Sequence, residues 1–172
     1  MSVNGQSPAA DWIHSAMERH EADLLRYAQR LTGNLELARD VVQETFLRLC
    51  RQDQQHIDGH LTKWLYTVCR NKALDVRRKE NRMTSLVEPE KLEPQTNGQE
   101  PVAILTAQET AGTIIERLNG LPESQQEVIR LKFQNGLSYR EIAEITDQKV
   151  SNVGYLIHQG MKSLRKQLKS IH

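Results

Sequence analysis

The chain has 172 residues, 38% hydrophobic and 26% charged, and its 23 basic and 22 acidic side chains leave a formal net charge of +1. That is room for one ordinary domain or two small ones, and the near-neutral total supplies no global field to attract nucleic acid or an anionic membrane. Two cysteines, Cys50 and Cys69, make neither a disulfide framework nor a zinc site; no apolar run approaches the roughly 18 residues needed to span a bilayer, and the N-terminus lacks the basic-then-apolar pattern of a secretion signal, so a cytoplasmic protein is expected.

From Asp11 to Lys79 the pattern is helical. Ile13, Met17, Leu24, Ala28 and Leu31 recur at helical spacing until Gly33-Asn34 closes the run. Leu35, Ala38, Val42, Thr45 and Leu49 mark a second amphipathic helix. Asp53 to Gly59 is polar and reads as a loop. Leu61, Leu65, Val68 and Lys72 share one face of a third helix, with Trp64 beside it. Residues 81–103 change character: Glu88, Pro89, Glu90, Pro94, Asn97, Gly98, Glu100 and Pro101 leave few large apolar side chains to offset the entropy of ordering, so a flexible linker is expected. The charge follows the same division. Residues 1–80 carry a net +1, residues 81–110 a net −3 and residues 111–172 a net +3.

Beyond the linker, Ala107, Ala111, Ile114, Ile115 and Leu118 mark a helix that Gly120-Leu121-Pro122 breaks. Pro122 suits the first turn of the next helix, whose positions Val128, Leu131 and Lys132 run to a stop at Asn135-Gly136. Ser138 and Glu141 have capping-box spacing for a short helix through Ile145. After a tight segment, Thr146 to Val150, Ser151 is the expected cap of a last helix built on Val153, Ile157, Met161, Leu164 and Leu168. The fold class expected is therefore all-α: two small helical modules, residues 10–80 and 104–170, joined by a flexible linker, the second containing a helix-turn-helix.

The window from Leu137 to Leu168 points most directly to function. A short capped helix, a tight break and a longer helix can place the second helix in a major groove. Ser151, Asn152, Tyr155, His158 and Gln159 are the candidates for base edges, and Asn and Gln can read adenine bidentately. Tyr139, Arg140 and Lys149 are candidates for backbone phosphates. Lys162 and the basic residues after it serve either phosphates or the solvation of a helix end, where cations are favoured. Gly154 either admits a close backbone approach to DNA or is neutral. A helical hairpin used only for protein packing is the rival reading.

Two surfaces of the first half remain open between function and simple solvation. Asp40, Gln43, Glu44 and Leu47 place carboxylates beside an apolar side chain, which suits a basic partner surface as well as a solvated helix face. The run from Trp64 to Lys79 interleaves aromatic, amide and basic residues, a composition that binds unpaired DNA by stacking and phosphate contact. The polar stretch before it, Gln54 to His60, could hold an extruded base. The alternative is a core Trp64 on an otherwise solvated basic helix.

The stretches VVQETFLRL, KWLYTVCRNKALDVRRK, LPESQQEVIRLKF, GLSYREIAEI and VSNVGYLIHQGMKSLRKQL, in this order, resemble a bacterial RNA polymerase sigma factor of the sigma-70 family, small extracytoplasmic-function (ECF) type. The resemblance covers nearly all of residues 12–168. It implies that residues 10–80 are sigma region 2 and that Asp40, Gln43, Glu44 and Leu47 grip the β′ clamp helices of core RNA polymerase. It implies that Trp64, Arg70, Asn71, Asp75, Arg77 and Arg78 recognise and open the −10 promoter element. Residues 104–170 become sigma region 4, with Tyr139, Arg140, Lys149, Ser151, Asn152, Tyr155, His158, Gln159 and Lys162 at the −35 element and a contact to the β flap. The resemblance leaves a dedicated anti-sigma factor open as a further partner. Members commonly carry Gly-Thr-Val-Lys-Ser-Arg in the reading helix; here the aligned residues are Ser151, Asn152, Val153, Gly154, Tyr155 and Leu156, which implies a different promoter sequence.

No catalytic residue, metal or cofactor is expected. The sequence has no Walker loop, HExxH or CxxC motif, and His14 and His20 do not share a helical face. A stand-alone helix-turn-helix regulator and a sigma-like adaptor for a regulatory protein are the rival functions.

Overall fold

The computed structural model describes residues 7–85 and 107–170; most of the expected linker, residues 86–103, lies outside them. Described elements are all helical and fall into two compact units, one on each side of residues 90–91.

The first unit opens with α1 (Pro8–Thr32), which Gly33 ends in the left-handed conformation at φ 71°, its N–H donating to the Gln29 carbonyl. Only glycine takes that conformation without a Cβ penalty, so the chain turns where the apolar period ends. Asn34 then caps α2 (Leu35–Cys50) by accepting from the Leu37 N–H at 3.1 Å. The expected loop from Asp53 to Gly59 is instead a short helix, α3 (Gln54–Ile57), followed by a 3-10 turn at Asp58–His60. The Asp53 side chain caps α3 through the Gln55 N–H, and Ile57, the stretch's one large apolar residue, is buried. α4 (Leu61–Ser85) follows directly and runs five residues into the expected linker.

α1, α2 and α4 pack on one another. Leu24, Ala28, Ala38, Val41, Leu49, Leu65, Cys69 and Ala73 are fully buried among them. Each large aliphatic side chain removed from water contributes about 1.5–3 kcal/mol before entropy is counted. Thr45 sits in this core because its hydroxyl donates to the Val41 carbonyl at 2.8 Å, leaving no unpaired polar group. Tyr27 on α1 meets Tyr66 on α4 edge to face, with ring centroids 5.1 Å apart. Val68, expected on the core face, is half-buried.

The second unit comprises α5 (Ala107–Asn119), α6 (Glu123–Phe133), α7 (Tyr139–Thr146) and α8 (Val150–Lys169). α8 is its hub, packing against the other three. Pro122 lies one position outside the first turn of α6, at the N-cap with extended ψ 143°. Ile114 and Ile115, which mark this helix in the sequence, are exposed at 40% and 49%, whereas Leu118 is buried. The capping box at α7 forms in both directions: Ser138 Oγ accepts from the Glu141 N–H, and the Glu141 carboxylate accepts from the Ser138 N–H. α8 begins at Val150 with Lys149 at the N-cap, so Ser151 lies within the first turn and is not the cap. Asp147 fixes that start. It takes the left-handed conformation at φ 53°, and its N–H closes α7 on the Ala143 carbonyl. A short polar side chain is among the few that tolerate this region.

Candidate nucleic-acid interface

On α4 the six singled-out residues divide into two stripes. Trp64, Asn71, Asp75 and Arg78 follow the seven-, four- and three-residue steps that keep side chains on one helical face. Arg70 and Arg77, seven apart, form a neighbouring stripe closer to the buried face. Asn71, Asp75, Arg77 and Arg78 are exposed, while Trp64 and Arg70 are half-buried. The Trp64 ring is therefore neither core nor free, and part of it is open to a stacking partner. Asp75 pairs with Arg78 at 3.1 Å, one turn along the helix. Both side chains are well exposed, so the pair orients them and contributes little stability.

On α2, Asp40, Gln43 and Leu47 are exposed and Glu44 is half-buried, with Leu47 at 50% exposure despite being aliphatic. Glu44 is engaged by Arg48 at 3.1 Å, whereas the Asp40 carboxylate stands exposed on the same helix. Gln43 and Leu47 also border a groove between α1 and α2 of about 450 Å³, floored by Met17, Leu25, Val42 and Phe46. Cys50 stands at its edge, exposed, whereas Cys69 is buried and burial pushes its thiol up to about 12. A thiol reagent at pH 8 should therefore label Cys50 alone in the folded protein, with Cys69 reacting only on denaturation; mass spectrometry of the labelled chain reads this directly.

In the second unit Ser151, Tyr155, His158 and Lys162 form the outward stripe of α8, opposite the buried Val153, Ile157, Gly160 and Leu164. Tyr155 is 60% exposed. Asn152 and Gln159 flank that stripe, and Asn152 Nδ2 donates to Gln148 Oε1 at 2.6 Å. Tyr139 and Arg140 stand at the start of α7. The Tyr139 ring lies under the Lys132 ammonium, 5.2 Å from its centroid, and beside Gly154. Sequence reading missed Lys132 in this role, since its sequence neighbours place it on a different helix from Tyr139.

A Cβ at Gly154 would meet the Tyr139 ring at 3.6 Å, an ordinary contact. Gly154→Ala should accordingly stabilise the second unit by about 0.5–1 kcal/mol, because alanine removes the helix-propensity cost of glycine. A thermal melt followed by circular dichroism measures this. Gly160 is different: a Cβ there would stand 2.4 Å from Ile129 Cδ1 on α6. α8 and α6 approach closely at that point, which sequence spacing gave no means of seeing.

The two units match two known families in chain order: Sigma-70 region 2 over residues 16–83 and Sigma-70 region 4 over residues 111–164. The chain is 32% identical over 170 residues to the ECF RNA polymerase sigma factor SigW of Bacillus subtilis, covering 94% of this chain and 91% of that protein. It belongs to the ECF sigma factors of the sigma-70 family. A second member, SigE of Mycolicibacterium smegmatis, is 30% identical over 95% of this chain, which spans 64% of that longer protein. The fold is also that of the solved sigma factor RpoE from Bartonella quintana, at TM-score 0.64 and 23% identity over 92% of this chain and 98% of that one. CnrH, another solved likeness, gives TM-score 0.56 and 21% identity over 92% and 88%. As a sigma factor the chain directs RNA polymerase to promoters and is not an enzyme. Among the described residues no cluster could hold a metal ion, and no helix is long and apolar enough to cross a membrane.

Proposed function

We propose that this sigma factor divides promoter recognition between its units, with region 2 in residues 10–80, a linker in 81–103 and region 4 in 104–170. The observation that carries the reading is the pair of stripes on α4. A half-open indole, an exposed amide and an exposed carboxylate lie in line at Trp64, Asn71 and Asp75, with Arg78 at the end of the same row and cationic side chains in the neighbouring row at Arg70 and Arg77. Unpaired bases can stack and hydrogen-bond on the first row while their phosphates meet the second. The −10 element is opened there, with the capped segment Gln54–His60 flanking the extruded base.

The outward stripe of α8, flanked by Asn152 and Gln159, reads the −35 element, with Tyr139, Arg140, Lys149 and Lys162 on phosphates. Asp40, Gln43, Glu44 and Leu47 dock on the β′ clamp helices of core polymerase, and region 4 meets the β flap. Each DNA contact is weak alone; joined through the polymerase, the second becomes an intramolecular event at high effective concentration. The protein acts in the cytoplasm. An anti-sigma factor is a further partner, supported by the solved RpoE, which was crystallised with the anti-sigma factor NepR; CnrH too was solved with a protein partner, the cytosolic domain of CnrY.

Permanganate footprinting of a matched promoter with core polymerase tests the reading. Wild-type protein should yield reactive thymines across the −10 region, and the double variant Asn71→Ala, Asp75→Ala should abolish them while still binding polymerase. Both residues are exposed, so the loss would not come from unfolding. Tight polymerase binding with no bubble across a promoter library would overturn the proposal in favour of an adaptor.

A further inference from the structure

We propose that Gln148 is a positioning residue that locks Asn152 to read one adenine of the −35 element. The inference rests on the region 4 reading above and names one specificity pair within it. Asn152 sits in the first turn of α8, exposed, on the flank of the outward stripe. Gln148 precedes the helix. It is half-buried, and its own backbone N–H is held by the Ala143 carbonyl of α7 at 2.9 Å. The bond from Asn152 Nδ2 to Gln148 Oε1 at 2.6 Å therefore ties a base-facing side chain to the turn between the two helices.

The chemistry of a carboxamide makes that tie informative. Asparagine offers two N–H donors and one acceptor oxygen. A bidentate contact to adenine uses Oδ1, accepting from N6–H, and the N–H on the same side as Oδ1, donating to N7. The other N–H points away from that edge. Gln148 can engage this second N–H and leave the adenine-reading edge whole. While Gln148 keeps Oε1 toward it, the amide's orientation is set as well, because flipping Asn152 alone would bring two oxygens together. An untethered exposed asparagine would sample both orientations and would have to be ordered on binding. Gln148 removes that cost beforehand without touching DNA. The sequence supports a dedicated device here, since Gly154 and Leu156 supply no charge to the reading helix and discrimination must come from neutral groups.

The test uses the full chain assembled with core polymerase, on a promoter library randomised across the −35 element, reading initiation from each member. Wild type should prefer A·T at one position by about 5- to 150-fold. Asn152→Ala should erase that preference and leave the others. Gln148→Leu, which keeps the bulk and removes the acceptor, should lower discrimination at the same position by about 2- to 10-fold. Gln148→Glu keeps the acceptor and should restore the ratio, even where its added charge weakens initiation on every sequence alike. 7-Deazaadenine at that position, which lacks N7, should penalise wild type and not Asn152→Ala. Unchanged discrimination in Gln148→Leu would overturn the positioning role. Unchanged preferences at every position in Asn152→Ala would overturn the base contact while leaving −35 recognition intact. If the wild type were indifferent to the whole element, both this inference and the region 4 reading would fall.

Discussion

Leu65→Ala should destabilise the N-terminal unit by about 2–5 kcal/mol. Leu65 lies in α4 at 0% exposure, in the core that α4 shares with α1 and α2. Truncation removes three carbons of buried surface and leaves a cavity that neighbours fixed on three rigid helices cannot fill. A unit of this size has little reserve, since whole domains are stable by only about 5–15 kcal/mol and small ones lie near the lower end. Both tryptophans, Trp12 and Trp64, belong to this unit, so their fluorescence reports its unfolding and is silent for the other. The variant's urea transition by fluorescence should move to clearly lower denaturant. A shift below about 1 kcal/mol would show that α4 is not seated as described. Because α4 also carries Asn71 and Asp75, loss of promoter opening should accompany the shift at temperatures where the unit melts.

Much of this arrangement is written locally. Gly33-Asn34 both ends α1 and caps α2, and Ser138 with Glu141 announces α7, because capping is decided within four residues. The period of Leu24, Ala28, Ala38, Val42 and Leu65 marks the buried faces for the same reason. What escaped the sequence depended on tertiary neighbours or on features too short to have a period. Gln54–Ile57 holds one apolar residue, so no amphipathic repeat exists to betray its helix. Ser151 is a better capping residue than Lys149, yet the left-handed turn at Asp147 starts α8 before Ser151 can act. Ile114 and Ile115 have helical spacing, but no described element of their unit covers them. Of the candidate site, the residue types were legible on α2, α4 and α8. Their division into stripes on α4, the Glu44–Arg48 and Asp75–Arg78 pairs and the Gln148–Asn152 bond required side-chain positions.

Gly160 is the sharpest case of the second kind, and its replacement should be costly. It lies on the buried face of α8, where an added Cβ would fall 2.4 Å from Ile129 Cδ1 and 3.5 Å from the Cβ of Gln125. The methyl end of Ile129 can swing aside for an alanine, and alanine also gains helix propensity, so Gly160→Ala measures only the difference of two opposed effects. Valine leaves no such escape. Its two extra methyl groups enter a crossing already occupied by Ile129, which is itself buried at 4% exposure, and demand more room than the swing of one methyl yields. Gly160→Val should cost about 1–3 kcal/mol by overpacking, with a β-branched side chain's helix penalty in addition. The relief available to the unit is separation of α8 from α6, and α6 carries Lys132, whose ammonium lies over the Tyr139 ring that stands beside Gly154 of α8. The expected result is a drop of about 4–8 °C per kcal/mol in the transition of the second unit, followed by circular dichroism, with the tryptophan-reported transition unmoved. Initiation that depends on the −35 element should fall with it. Wild-type stability in Gly160→Val would mean that the two helices do not approach as closely as Gly160 allows, and the placement of Tyr139 against α8 would lose its support.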